Sequence, residues 1–266
     1  MCRLGKYVYG IIDNVDNEMI KDIKGIDGLH SLYSLKTEDV YIILSNVDLE
    51  EYGEGELDKR LEDMAWVEEK AKKHFNIVQS LLEYGTVIPM KFCTIFVSDD
   101  TMLQFVDSFK FKIKEAISYL KDKEEWDLKV YCDRKKFLEC NMEEEREAMK
   151  TQIGKAAKGA AYFLAKKIET NLEEKTREKI IKIKDTLWND LKENAEQVKL
   201  NKNLSKQVME YDKDMILNGA FLIKKDDKDT FMDAIDKKKA FFEKYNMEIK
   251  LSGPWPFYNF STSFIA

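Results

Sequence analysis

The alternation of apolar and polar positions divides the chain into short periodic segments. Lys6 to Ile12 reads as a strand, with Tyr7, Tyr9 and Ile11 on one face and Val8 and Ile12 on the other, both faces largely buried. Asp16 to Lys24 fits a short helix, ended by the Gly25-Ile26-Asp27-Gly28 stretch. Leu29 to Leu35 and Val40 to Val47 read as two strands joined across Lys36 to Asp39, and the second is nearly all apolar, as a central strand is. After the turn at Tyr52 to Gly55, one long helix is predicted from about Glu56 to Tyr84. Its stripe is Leu57, Leu61, Met64, Ala71, Phe75, Val78 and Leu82, and Gly85 stops it. Thr86 to Met90 supplies a further short strand. The order strand, helix, strand, strand, helix, strand describes a ferredoxin-like split unit. A helix from Asp99 to about Lys121 follows, with Met102, Phe105, Val106, Phe109, Ile113, Ile117 and Leu120 on its apolar side.

From Glu125 the same order begins again. It runs through a strand at Trp126 to Tyr131, a helical region from Glu143 to Val198, and strands near Lys199 to Leu204 and Met215 to Ile223. A helix at Lys228 to Tyr245 and a strand at Met247 to Leu251 complete it. The halves share element order and no visible sequence. The expected architecture is therefore α+β in two domains. Residues 1–123 form an N-terminal ferredoxin-like domain with an additional helix. Residues 124–266 form a C-terminal α+β domain with long helices and an extended aromatic tail. As one straight rod the helical region would reach about 84 Å at 1.5 Å per residue, so a bend is expected near Gly154, Gly159 or Thr170–Asn171.

Composition removes several classes of function. Of 266 residues, 44% are hydrophobic and 12% aromatic, enough for a sizeable core and too many for a disordered chain. Lys and Arg total 44 against 50 Asp and Glu, for a net charge of −6 with the signs interspersed, which argues against a nucleic-acid binder. Arginine occurs only at Arg3, Arg60, Arg134, Arg146 and Arg177, so guanidinium forks for phosphate are scarce. No apolar run approaches the roughly 20 residues of a spanning helix. Cys2, Cys93, Cys132 and Cys140 show no CxxC, and nothing at Met1 to Ile12 reads as a signal peptide. A cytoplasmic protein with free thiols is expected.

Candidate chemistry is sparse. There are two histidines, His30 and His74, and no HExxH, GxSxG, P-loop, GxGxxG or EF-hand loop. His74 falls beside Val67, Ala71, Val78 and Leu81, which reads as a core-edge imidazole with one satisfied nitrogen; the alternative is a general base supported by Glu68 or Glu69. No catalytic residue, cofactor site or metal site is assigned. Gly154, Ala157, Ala161 and Leu164 place small side chains on one helix face, a packing feature, and Lys155 and Lys158 beside glycines make only a weak phosphate site. Glu143 to Glu145 suit a helix start. The C-terminus stands apart: Pro254 and Pro256 make Gly253 to Phe260 an extended segment that should not continue the preceding strand ladder. It presents Trp255, Phe257, Tyr258, Phe260 and Phe264 with little charge. Such a tail either seals its own domains or leaves part of itself as a docking surface.

Several of these segments resemble the gas vesicle protein F/L family. The run Trp66-Val67-Glu68-Glu69-Lys70-Ala71-Lys72-Lys73-His74 followed by Gly85-Thr86-Val87-Ile88-Pro89-Met90-Lys91-Phe92-Cys93-Thr94 is similar to its first signature block. Glu125 to Val130 is similar to its second, Gly159 with Tyr162 and Leu164 to its helix block, and Gly253-Pro254-Trp255-Pro256 with Tyr258 and Phe260 to its terminal block. The chain departs from the pattern at Lys70, where arginine is usual, at Cys93, where glycine is usual, at Phe257, and at an inserted Phe163. The resemblance implies a cytoplasmic, gas vesicle-associated accessory protein of gas vesicle assembly without known catalytic activity, in contact with the apolar GvpA-type wall subunit and other accessory proteins. The expected contact residues are Trp66, Tyr84, Trp126, Trp255, Phe257 and Tyr258. Trp66 is the foremost surface candidate because it lies off the stripe of Leu61, Met64 and Phe75. The competing reading is a small-molecule or nucleotide sensor built from ferredoxin-like units, and an enzyme around His74 and Glu68 ranks third.

Overall fold

The computed structural model describes residues 3–154, 158–206 and 211–265. The chain forms two compact units, Met1–Glu124 with Pro254–Ala266, and Glu125–Gly253. The first unit is built on strands β1 (Leu4–Ile12), β2 (Tyr33–Thr37), β3 (Val40–Asp48) and β4 (Val87–Pro89), in the order β2-β3-β1-β4, with the short β5 (Ile95–Phe96) also paired to β1. Every pairing is antiparallel. The short helices α1 (Asn17–Ile20) and α2 (Leu49–Tyr52) cap the connections.

One residue changes the facing of β1. The ladder to β3 slips between Val8 and Gly10, a bulge at Tyr9, and a bulge shifts the two-residue alternation beyond it. Tyr7, Tyr9 and Ile12 consequently enter one core, while Val8 and Ile11 enter the other. The expected pairing of Ile11 with the tyrosines and of Ile12 with Val8 is corrected by this slip. On β3, Ile43 and Val47 join the first core and Ile42 and Leu44 the second, so this strand is buried on both faces as its apolar run predicts.

The helix expected over Glu56 to Tyr84 is two helices, α3 (Glu56–Leu61) and α4 (Met64–Leu81). Asp63 breaks it, since its carboxylate accepts from Ala65 N at 3.0 Å and Trp66 N at 3.3 Å and starts a new helix. The restart resets the angular phase. Met64 becomes exposed, and the buried face is Trp66, His74, Ile77, Val78 and Leu81. Asp63→Ala is expected to lower stability by about 1 kcal/mol, read from the urea midpoint of the first unit. The opposite sheet face carries α5 (Asp99–Ser108) and α6 (Lys110–Leu120), again two helices where one was expected, with Met102, Val106, Ile113 and Ala116 buried against β1 and β3. Cys93 sits at φ +62° and donates its N–H to the Tyr7 hydroxyl at 3.0 Å. The left-handed turn is thus kept by a residue with a side chain where the family pattern has glycine.

The second unit repeats the topology. Its strands β6 (Lys123–Cys132), β7 (Gln197–Leu200), β8 (Asp214–Lys224) and β9 (Met247–Trp255) lie in the order β7-β8-β6-β9. Helix α7 (Arg134–Asn141), which the sequence reading missed, starts on Asp133, whose carboxylate accepts from Lys136 N. The long helical region contains α8 (Glu143–Gly154) and α9 (Lys158–Lys192). The side-chain placement of the stripe of Gly154, Ala157, Ala161 and Leu164, with Lys155 and Lys158, lies outside what is described, and residues 155–157 lie outside the described residues altogether. At 35 residues, α9 is about 52 Å long. Its contribution to the core comes from Ile180, Leu187 and Leu191, in its C-terminal half, with Phe221 of β8 and with Phe231 and Ile235 of α10 (Lys228–Lys244).

Two expectations about the C-terminus are corrected. Strand β9 continues through Gly253-Pro254-Trp255 instead of ending at Leu251. It is the last strand of its sheet, and an edge position tolerates proline because no neighbour requires its missing N–H. The segment after it packs with the first unit, not with residues 124–253 as the predicted domain 124–266 required. Trp255 lies 5.4 Å from Phe75 of α4, Gln79 Nε2 donates to the Pro254 carbonyl at 2.8 Å, and Phe257 and Phe260 are buried. The final helix, α11 (Thr262–Ile265), brings Phe264 to 5.9 Å from Tyr119 of α6.

Candidate functional site

His74 is 3% exposed and bonded through both ring nitrogens, where one satisfied nitrogen was expected. The Tyr7 hydroxyl accepts from Cys93 N, so its proton is directed to His74 Nδ1 at 3.0 Å. Nε2 then carries the ring proton and faces the Met90 carbonyl and the Tyr258 hydroxyl, each at 3.2 Å. Burial holds the imidazole neutral, pushing its pKa down to about 4. Its partners are a phenol, a carbonyl and a second phenol, and neither Glu68 nor Glu69 is among them. His74 thus ties β1, α4, the segment after β4 and the C-terminal tail together in one buried junction.

The six aromatic residues singled out by sequence do not form one surface. Trp66 is 9% exposed and packs 6.0 Å from Tyr52 and 6.3 Å from Phe92, which corrects its placement at the surface. The helix restart at Asp63 turned it inward. Phe257 is buried in the first unit and Trp126 in the second, where Lys228 lies 5.2 Å over its ring. Tyr84, Trp255 and Tyr258 are half-buried.

The apolar recess of the first unit lies elsewhere, between α5, α6 and the β2–β3 turn. It is a groove of about 230 Å³ whose floor is Val40, Leu103, Val106 and Ile113. Glu38, Asp39 and Asp107 stand on its rim with Lys110 and Lys114. Lys110 pairs with Glu38, and Lys114 pairs with Asp39 at 2.8 Å, holding the Asp39 carboxyl below the usual carboxylate range. Leu103 is 40% exposed, and Phe111, next to Lys110, is 85% exposed. Sequence reasoning passed over both. The available signal was that each is a large apolar residue off the stripe of Met102, Val106, Ile113 and Ile117, which places it on the solvent side of its own helix.

The second unit has a polar recess of about 430 Å³ lined by Asp133, Lys136, Lys213, Lys239 and Glu248 among others. Its lysines are engaged: Lys136 with Asp133 at 3.6 Å, Lys213 with Glu248 at 2.7 Å and Lys239 with Asp236 at 2.6 Å. Hydrogen bonds from Lys213 and Tyr211 hold the Glu248 carboxyl down at about 2. Among the described residues no three of His, Cys, Asp and Glu converge as metal ligands, and no helix is long and apolar enough to cross a membrane.

These features define an α+β protein of two antiparallel-sheet units with a shallow apolar recess. The family model described as gas vesicle synthesis protein GvpL/GvpF matches residues 5–262, and the chain belongs to this family of gas vesicle accessory proteins. It is 20% identical over 256 residues to gas vesicle protein L of Streptomyces sp. (strain CB03234), covering 96% of this chain and 92% of that protein. Gas vesicle protein L1 of Halobacterium salinarum is 23% identical over 211 residues, covering 75% and 73%. The fold is shared with the crystal structures of gas vesicle protein GvpF from Anabaena sp. PCC7120 and from Microcystis aeruginosa. Their TM-scores are 0.70 and 0.66, at 20% and 19% identity, over 97% of this chain and 98% and 99% of theirs.

Proposed function

We propose that this protein acts in the cytoplasm as a non-enzymatic, chaperone-like or nucleating factor of gas vesicle assembly, binding the apolar GvpA-type wall subunit and other accessory proteins. Each sheet is read as a ferredoxin-like unit, on the recurrence of one strand order in both. The observation that carries the reading is the groove over Val40, Leu103, Val106 and Ile113, with the exposed Phe111 next in sequence to its rim residue Lys110. An aggregation-prone subunit has to be covered reversibly. A shallow apolar recess with a charged rim suits that task, because the floor supplies apolar burial and the rim keeps the empty protein solvated.

Co-expression with the wall subunit followed by affinity capture tests this. Leu103→Glu combined with Phe111→Ser is expected to weaken capture about tenfold to hundredfold, the equivalent of losing one fully buried large apolar side chain at about 1.5–3 kcal/mol. Both positions are exposed, so the melting temperature should not move. Undiminished capture by the double variant would remove the groove from the proposal, and no capture by the wild-type chain under mild conditions would remove the proposal itself.

A further inference from the structure

Helix α9 of the second unit carries an exposed aromatic surface of its own. Tyr162 and Phe163 are 71% and 75% exposed, with ring centroids 5.8 Å apart. Lys166 and Lys167 follow four residues on, both exposed and without an ion-pair partner among the described residues. Residues four apart are neighbours on a helix surface, so each aromatic ring stands beside a lysine. Among the described residues of α9 the first buried position is Ile168, and the two rings stand exposed ahead of it. Adjacent large aromatics held in water with cations beside them mark a contact surface for a partner that is both apolar and acidic.

The groove of the first unit has that character. Its floor is apolar, and its rim holds three carboxylates against two lysines. Both lysines are already paired to Glu38 and Asp39, whereas Asp107 has no ion-pair partner among the described residues. We propose that the α9 face of one copy docks into this groove on a second copy. Tyr162 and Phe163 cover Val106 and Leu103, and Lys166 and Lys167 meet Asp107 and the acidic rim. The inference rests on the reading of the groove as a docking site. It adds regulation: a second copy covers the groove until the wall subunit displaces it. The two surfaces differ, so the contact is heterologous and extends head to tail. The patches are small, placing the contact in the weak class below about 1,200 Å², and its charges make it salt-sensitive.

Sedimentation velocity on the full chain, with no wall subunit present, is the test. The weight-average sedimentation coefficient is expected to rise with protein concentration and to rise less at high salt. Lys166→Glu with Lys167→Glu should abolish the rise, and so should Asp107→Lys. An equimolar mixture of those two variants should restore association, because the charges are then exchanged across the contact. A coefficient independent of concentration in the wild type would overturn the proposal. So would association that survives both variants, or a mixture that associates no better than its components. None of these outcomes bears on wall-subunit capture by the Leu103 and Phe111 variant, so the two readings fail separately.

Discussion

Replacing His74 with leucine is expected to lower the unfolding free energy of the first unit by about 3–4 kcal/mol. Leucine fills similar space and supplies neither a donor nor an acceptor, so the Tyr7 proton, the Met90 carbonyl and the Tyr258 hydroxyl lose their partner together. Each buried group left unsatisfied costs about 1–3 kcal/mol. His74→Gln retains one amide donor and one acceptor and should recover part of the loss. The pH dependence separates the imidazole from its packing. The folded-state pKa of about 4 lies below the ordinary value of 6.5, so between these values the unfolded chain binds a proton that the folded unit does not. The stability contributed by the neutral ring is therefore complete above about pH 6.5 and falls by up to about 3 kcal/mol as pH drops toward 4. Urea unfolding of wild type and His74→Gln across this range checks the sign: the difference between them should shrink on acidification. A constant difference would show that His74 does not titrate between the folded and unfolded states. Loss of gas vesicles in a His74 variant is expected through instability, and protein abundance should fall with it.

Gly253→Ala is expected to destabilise the second unit by about 2–4 kcal/mol. Gly253 sits at φ +144°, a conformation that side chains rarely adopt, and a Cβ there would lie 2.9 Å from the Glu125 carbonyl oxygen and 2.9 Å from the Trp126 ring. Backbone strain and a steric clash are thus imposed at one position. Gly55→Ala provides the comparison, because φ is +85° there and nothing lies within 4 Å of the added atom. That variant should show only the dihedral cost, about 1–3 kcal/mol. Denaturant midpoints combined with hydrogen exchange, at β6 and β9 for Gly253→Ala and at α3 and α4 for Gly55→Ala, resolve the two variants, and equal losses would refute the close approach. The same geometry accounts for the terminal sequence block. Glycine lets β9 pass beside the Trp126 ring, Pro254 occupies an edge position, and Trp255 begins the run that packs on α4.

Much of the architecture was legible along the chain. Periods of two and of three to four residues located β1, β3, α10 and β8 closely, and the combined span of α5 and α6 as one helix, because those segments bury a regular face whatever lies opposite. What failed was phase and partnership. A bulge at Tyr9 exchanged the faces of Ile11 and Ile12. A carboxylate cap at Asp63 rotated the apolar face of α4 and turned Trp66 inward while Met64 turned out. Each is a one-residue event that leaves composition and average periodicity intact, so pattern counting is blind to it. The short β5 and α7 were missed because neither is long enough to show a period.

The candidate site was less legible than the fold. Aromatic content drew attention to Trp66, Trp126 and Phe257, but an aromatic side chain has the most to gain from burial and is the first to be taken into a core. The exposed apolar residues, Leu103, Phe111, Tyr162 and Phe163, were inconspicuous beside them. Family membership, the α+β class, the twice-used order of elements and the lack of a catalytic motif belong to the sequence by itself, since they depend on residue types and on local spacing. The tertiary structure alone decided that the C-terminal segment packs with the first unit, that His74 is a neutral buried junction, and that a groove opens between α5, α6 and the β2–β3 turn. Each of these depends on groups brought together from positions far apart in the chain, and no local period carries that information.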